Sequence, residues 1–339
     1  MEEKLIGQNS IETNSIKQNK KLFSKIGLCF FIGTIIITGI QLGLGNLFSV
    51  LFPKIYEKYA FLVLMLPMYI IAIPVIVFML TRIRPVVTIE KAKFGIKEIL
   101  GFFLVSYAGM YISNIIGNFL ASVIAMVKQG EVNNVITKVA TGNDLWMNVL
   151  IMVICAPIAE ELLFRKLLID RTVQFGEKLA IILSALMFAF YHGNIYQFCY
   201  AFVLGCVFGY VYVKSGKMIY TIVLHMMINF MGSIASVLVV KASGLTKLMD
   251  GSITDPNEMV SYLMGNLGGL AVFGIYFLVI IAIVIGGIII LAVNFKKISL
   301  QPASEPIEKG QVFKTVALNL GMGLFFVFWI AFMIYATLI

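Results

Sequence analysis

The stretch APIAEELLFR, residues 156–165, places two adjacent carboxylates and an arginine inside one of the most apolar regions of the chain. Ionised groups are costly in hydrocarbon, so acids in membrane-spanning segments usually face the protein interior, pair with another group and serve a function. On a helix, Glu161 and Arg165 stand four residues apart and can pair on one face. Glu160 points about 100° away from Glu161. The stretch therefore predicts one structural acid, Glu161, and one acid that is free for chemistry, Glu160.

Apolar sequence surrounds this stretch over most of the chain. Of the 339 residues, 60% are hydrophobic and only 13% are charged, which is typical of a polytopic membrane protein. An apolar run of about 20 residues is long enough to span a bilayer as a helix. The sequence therefore predicts an all-α transmembrane bundle of about eight or nine spans, near 26–51, 60–80, 98–127, 145–164, 179–193, 195–213, 218–240, 262–293 and 315–339. The fifth run is short, and a turn at His192-Gly193-Asn194 is expected to divide it from the sixth.

The net charge of +9 is explained by the distribution of basic residues along the chain. If the N-terminus is cytoplasmic, 20 of the 26 lysines and arginines lie in cytoplasmic segments and six lie in outer loops. This is the bias that the positive-inside rule expects, and the inverted topology would reverse it. The cytoplasmic segments are then 1–25, 81–97, 165–178, 214–217 and 294–314, and the outer loops are 52–59, 128–144 and 241–261. We expect a multi-pass protein of the cell membrane.

The composition divides the chain into four parts. Residues 1–25 are polar and predict a mobile cytoplasmic tail, followed by N-terminal transmembrane helices in 26–144. Residues 145–240 hold the acid pair and both histidines of the chain, and 241–339 form an outer loop and C-terminal transmembrane helices. No small-residue cleavage site follows the first apolar run, so we expect this run to be a retained span and not a signal peptide.

Only two histidines occur in the chain, His192 and His225, and both fall in apolar runs or at their ends. Either one alone could be a hydrogen-bonded packing residue. At 1.5 Å per residue, His225 lies about 12 Å from Lys217 and His192 about 21 Å from Lys178. Glu160 lies about 16 Å from Asp170–Arg171, where its helix is expected to leave the membrane. Asn229 follows His225 at i+4 and projects from the same helical face. These four residues are therefore expected to form a polar site at a shared depth.

Three motifs in this region resemble those of the CAAX-prenyl-protease and bacteriocin-processing (CPBP, or Abi) family of intramembrane proteases. They are Glu160-Glu161-x-x-x-Arg165, Phe188-x-x-x-His192 and His225-x-x-x-Asn229. The resemblance covers about residues 145–235, with one departure at Lys166, where a small residue commonly follows the motif arginine. It implies an endopeptidase acting on a membrane-associated or lipidated peptide or protein, with the lipid bilayer as a partner and no role for nucleic acid.

The resemblance also implies a role for each site residue. Glu160 would be the general base that takes a proton from water, and His192 would help to hold or polarise that water. His225 and Asn229 would stabilise the oxyanion formed at the scissile carbonyl. Support of the site is implied for three further residues, namely Glu161, Arg165 and Phe188.

A metal site is the alternative account of the same residues. Two imidazoles and one carboxylate, from His192, His225 and Glu160, make a plausible zinc ligand set with an open position. The metal-free account, in which no cofactor is required, is favoured slightly because the sequence offers no acidic partner near either histidine that could orient a ligand imidazole.

A non-catalytic membrane protein is the alternative function. Intramembrane Glu, His and Arg residues also occur in the proton relays of transporters, and the family resemblance is compatible with a bacteriocin-immunity role. Against a transporter, the two halves of the chain show no internal repeat and no paired broken helices. The sequence does not name a substrate.

Overall fold

The structure, a computed structural model, describes residues 2–130, 132, 142–249 and 252–338. Within these ranges the chain is entirely helical apart from turns and extended connections, with no strand. The long helices of the described residues are α1 (Glu2–Leu51), α2 (Pro53–Thr81), α3 (Ile96–Lys128), α4 (Leu145–Phe175), α5 (Glu177–Tyr191), α6 (Ile195–Ser215), α7 (Met218–Ala242), α8 (Leu267–Lys297) and α9 (Leu320–Leu338). Short helices occupy Thr246–Met249, Pro256–Gly265 and Val312–Val316.

Eight of the helices in the described ranges are long and apolar enough to cross a membrane. The exception is α5, which corresponds to the predicted span 179–193. Its 15 residues extend for about 22 Å, less than the roughly 30 Å of a bilayer core. The predicted all-α, polytopic bundle of eight or nine spans is thus confirmed, and the protein is a multi-pass membrane protein.

The structure differs from the sequence prediction at two places. The polar residues of the predicted tail 1–25 continue α1 as helix from Glu2 onward. In addition, α4 extends to Phe175, whereas its predicted span ends near residue 164. Most of the predicted outer loop 128–144 lies outside the described residues, as do positions 250 and 251 of the loop 241–261.

Two arginines explain why α4 can continue past residue 164 as a buried helix. Arg165 is completely buried and faces Glu161 on the preceding turn. Arg171 is also buried and donates hydrogen bonds from Nε to the Leu80 carbonyl at 2.9 Å and from Nη1 to the Leu167 carbonyl at 2.8 Å. Both guanidinium groups therefore have partners inside the protein. The cytoplasmic location of the segment 165–178 stays a prediction.

Short π-helical segments interrupt the spans around the acid pair. They lie at Met68–Ala72 in α2, at Val149–Cys155 and Glu161–Ile169 in α4, and at Met231–Ala235 in α7. Such segments often mark functional sites, and they accommodate residues that cannot take part in the regular hydrogen-bond ladder. In α4 the two segments flank the single turn that carries Pro157 and Glu160.

Helices α5 and α6 form a close antiparallel pair beside α4. A carbon atom added at Gly205 would stand only 2.7 Å from Ala185 Cα, so α6 approaches α5 to a distance that a side chain would prevent. The Ser184 hydroxyl then joins α5 to α4 by donating to the Phe164 carbonyl at 2.8 Å. The acid pair therefore lies inside the bundle between two apolar clusters. One includes Phe30, Phe164, Phe188 and Phe325, and the other includes Tyr107, Leu204, Phe208 and Ile228.

Candidate active site

A cavity of about 500 Å³ is lined by six helices, α2 to α7. Its walls include all four of the residues that the sequence analysis assigns to a shared polar site, namely Glu160, His192, His225 and Asn229. Glu160 comes from the single turn between the π-helical segments of α4, His192 follows the last residue of α5, and the other two lie one turn apart on α7. The structure therefore brings together residues from three separate helices.

Glu160 is the acid that faces this cavity. Its side chain is 19% exposed, whereas that of Glu161 is completely buried. Glu160 Oε2 lies 3.7 Å from Nε2 of His225, which is within ion-pair distance but too long for a direct hydrogen bond. The two adjacent acids thus occupy different environments, as their helical directions predict.

Glu161 pairs with two cationic or potentially cationic groups. Its Oε2 lies 3.1 Å from Arg165 Nε, as the i,i+4 spacing predicts, and its Oε1 accepts a hydrogen bond from Nδ1 of His225 at 2.9 Å. The expectation that neither histidine has an acidic partner is therefore wrong for His225. The partner lies 64 positions away on another helix, so no local sequence pattern could reveal it.

The guanidinium of Arg165 lies between aromatic rings. Its Cζ is 4.5 Å from the centre of the Phe188 ring and 5.5 Å from that of Phe208, within the range of cation–π attraction. Among the described residues, its Nη1 and Nη2 atoms are buried without a hydrogen-bond partner. The Phe188 ring also lies 4.6 Å from the ring of His192. Phe188 thus separates the buried Glu161–Arg165 pair from the His192 side of the cavity.

The local structure fixes the tautomer of His192. Its Nδ1 lies 2.8 Å from the Phe188 carbonyl, and because a carbonyl oxygen only accepts, Nδ1 carries the hydrogen. In the neutral ring, Nε2 therefore has a free lone pair. Gly193 follows with a φ of 65°, and the side chain of Asn194 caps α6 by accepting from the Gln197 N–H at 2.9 Å. The predicted turn at 192–194 is confirmed, and it ends α5 at the level of the cavity.

The Asn229 amide links α7 to α4. Its Nδ2 donates to the Met152 carbonyl at 2.8 Å. In this π-helical part of α4, a backbone N–H bonds to the carbonyl five residues earlier, as the N–H of Ala156 does to Ile151. The next N–H in that register would come from Pro157, and proline has none. Asn229 therefore satisfies a carbonyl that Pro157 leaves without a backbone partner, and a second amide N–H remains for another acceptor.

Several cavity residues were missed by the sequence analysis. They are polar or aromatic side chains of α2, α3, α5 and α6, namely Tyr69, Asn114, Asn118, Tyr191, Tyr196, Gln197 and Tyr200. The Tyr191 hydroxyl is buried without a hydrogen-bond partner among the described residues. In sequence these side chains look like ordinary members of amphipathic or interfacial helices, and only the folding of α2 and α3 against α6 brings them to the cavity.

A zinc ion at this site would need the donor atoms of Glu160, His192 and His225 to meet at one centre. A zinc ion takes nitrogen and oxygen ligands at about 2.0–2.2 Å around one centre. No group of three or more His, Cys, Asp or Glu residues in the described ranges is arranged to hold a metal ion. Glu160, His192 and His225 therefore line one cavity without forming a ready three-ligand site.

The part of the chain that holds these cavity residues is similar to a known family. Residues 142–231 match the model of the family described as type II CAAX prenyl endopeptidase Rce1-like. No curated protein and no solved structure shows significant similarity to the chain. The matched segment runs from just before α4 to the end of the motif on α7, so it contains the four cavity residues and the buried acid. Residues 142–231 of this membrane protein are an Rce1-like domain of the CPBP family of intramembrane proteases.

Proposed function

We propose that the protein hydrolyses a peptide bond of a membrane-associated or lipidated peptide or protein, with Glu160 as the general base. The observation that carries this proposal is the meeting of Glu160, His192, His225 and Asn229 on the wall of one cavity within an Rce1-like domain. A partly exposed carboxylate, two imidazoles and an amide are the groups that water activation and oxyanion stabilisation require.

The first step concerns the attacking water. A water molecule bound between Glu160 and Nε2 of His192 would give a proton to the carboxylate as its oxygen attacks the scissile carbonyl. His192 is suited to orient this water because its Nδ1–H is already donated to the Phe188 carbonyl, which leaves Nε2 as the acceptor. The proton held on Glu160 would then pass to the leaving amine as the carbon–nitrogen bond breaks.

The second requirement is stabilisation of the oxyanion. A doubly protonated His225 ring would donate its Nδ1 hydrogen to Glu161 and its Nε2 hydrogen to the substrate oxygen, and the carboxylate of Glu161 would offset the charge of that ring. The second N–H of the Asn229 amide would be the other donor. Both donors lie on one face of α7 and are held by α4, so they need little reorganisation during the reaction.

The orientation of the protein and the class of its substrate belong to the same proposal. We place the N-terminus in the cytoplasm and the protein in the cell membrane on the distribution of basic residues. A cavity enclosed by membrane-spanning helices favours a substrate that already resides in the bilayer. A prenylated CAAX peptide is one such substrate, and other lipidated or membrane-bound peptides share its chemistry.

The proposal is tested by comparing the membrane peptides of cells that carry the wild-type protein or the Glu160→Gln variant. The isosteric amide cannot act as a base, so substrates should accumulate uncut and their cleavage products should disappear. Glu308→Gln is a matched control, because it removes an exposed acid far along the sequence from the Rce1-like domain. Identical peptide profiles in Glu160→Gln and wild-type cells, at equal protein abundance, would refute the proposal.

A further inference from the structure

A second cavity, of about 730 Å³, lies outside the Rce1-like domain, between α1 and the beginning of α9. Four lysines of α1 line it: Lys17, Lys20, Lys21 and Lys25. No acidic side chain is present on its walls, and none of the ion pairs found among the described residues involves these lysines. Four cationic side chains of one helix therefore line a cavity that is open to the surface, and the described part of the protein supplies no anion to it.

The cavity is a fixed consequence of helix packing. A carbon atom added at Gly27 would stand 2.3 Å from the Met322 backbone nitrogen, so the backbones of α1 and α9 are in direct contact. Beside this contact, the Gly321 N–H donates to the Ser24 hydroxyl at 3.1 Å. These contacts set the separation of the two helices beside the cavity. The four lysine side chains all come from α1.

The walls of the cavity change from charged to apolar along α1. Lys17 and Leu28 both line it, and they are separated by about 16 Å along a helix. Leu318 and Leu320 continue the apolar wall from the side of α9. The lysines stand where α1 enters its apolar span, which is the level of lipid headgroups.

We propose that this cavity binds the phosphodiester headgroup of an anionic phospholipid. The lysine ammonium groups would surround the phosphate, while the glycerol and the upper acyl chains would contact Leu28 and Leu320. Lipid is favoured over an acidic protein segment because the charged wall passes directly into an apolar wall that continues along the membrane-spanning helices. The lipid would also relieve the repulsion among the four lysines of α1.

Native mass spectrometry of the full-length protein in phosphatidylcholine micelles with added phosphatidylglycerol tests this site. Wild-type protein should retain phosphatidylglycerol in preference to phosphatidylcholine. The double variant Lys21→Gln/Lys25→Gln should lower the apparent affinity for phosphatidylglycerol by roughly 10–30-fold, from about fivefold for each lysine near a membrane surface. Lys296→Gln/Lys297→Gln is the matched control, because it removes two exposed lysines from the end of α8 and should leave the affinity unchanged. Equal losses in both double variants would overturn the proposal.

A variant that changes no charge distinguishes binding of phosphatidylglycerol in the cavity from a general attraction of the anionic lipid to lysine side chains. Gly323 lines the cavity, and a carbon atom added there meets no atom within 4 Å, so Gly323→Leu should fold normally while its side chain occupies the cavity. We expect it to lose retained phosphatidylglycerol, whereas Gly274→Leu, at another open glycine on α8, should not. Lys21→Arg/Lys25→Arg keeps the charge and should retain the lipid. Undiminished retention in Gly323→Leu, or displacement of the lipid by inorganic phosphate or by a polyglutamate peptide, would show that the cavity is not a phospholipid site.

Discussion

His225 donates its Nδ1 hydrogen to the buried carboxylate of Glu161 at 2.9 Å, while the other oxygen of that carboxylate lies 3.1 Å from Arg165 Nε. The structural acid of the pair is therefore also the group that orients an imidazole on the cavity wall. Glu161, which pairs with Arg165 on its own helix, thus also connects α4 to α7. Glu160, one position earlier in the chain, is left to face the cavity.

Glu160→Gln is predicted to lower turnover by at least about 10²-fold, because positioned acid–base groups contribute roughly 10²–10⁴-fold. Its thermal unfolding should stay close to that of the wild type, since the amide has the same shape and the native side chain is partly exposed. Single-turnover hydrolysis and thermal unfolding of the purified protein measure the two properties. Wild-type turnover in the variant would remove Glu160 from the mechanism.

Glu161→Gln is predicted to lower the stability of the fold. It would leave the buried Arg165 guanidinium without its carboxylate and weaken the hydrogen bond from His225, and breaking one partner of a buried pair costs about 3–5 kcal/mol. Adding Arg165→Met should restore much of this loss, because it removes the unpaired buried charge. The free energy of unfolding of the single and double variants provides the measurement. If Glu161→Gln alone unfolds like the wild type, the pair does not stabilise the fold.

The parts of this site that were predictable are those that one helix determines. The pairing of Glu161 with Arg165, the different direction of Glu160 and the turn after His192 follow from helical geometry and from Gly193. The hydrogen bond between His225 and Glu161 depends on how α7 packs against α4, and that register leaves no trace in either helix alone. The extension of α4 to Phe175 was missed for a similar reason, since the partner of Arg171 is a carbonyl of α2.

The orientation prediction can be checked with single cysteines in a background where the four native cysteines are replaced by alanine. Thr254→Cys, in a predicted outer loop, should react with a membrane-impermeant maleimide in intact cells. Glu308→Cys, in the predicted cytoplasmic segment 294–314, should react only after the membrane is made permeable, because 20 of the 26 basic residues then lie on the cytoplasmic side. Both positions are exposed in the structure. Labelling of Glu308→Cys alone in intact cells would reverse the orientation.

Chelation distinguishes the two accounts of catalysis. If Glu160 and His192 activate water directly, purified protein should keep its turnover after prolonged treatment with a strong chelator. If His192, His225 and Glu160 held zinc, turnover should fall and return when zinc is added. Elemental analysis of the same preparation is the companion measurement. We expect chelator resistance, and stoichiometric zinc that is lost together with activity in His192→Ala would contradict the metal-free mechanism.

Asn229 joins two helices in the structure and stabilises the oxyanion in the proposed mechanism, and a double variant can separate these two roles. Asn229→Ala leaves the Met152 carbonyl without its donor, so we expect a loss of about 1–3 kcal/mol in the free energy of unfolding. Pro157→Ala supplies the backbone N–H that this register of α4 lacks, and in combination with Asn229→Ala it should restore most of that stability. Turnover should nevertheless remain about 10²–10³-fold below the wild type, because the donor to the oxyanion is still missing. Pro157→Ala alone is the control. It retains Asn229, so its turnover should be close to that of the wild type. Recovery of turnover together with stability in the double variant would show that Asn229 only joins α7 to α4.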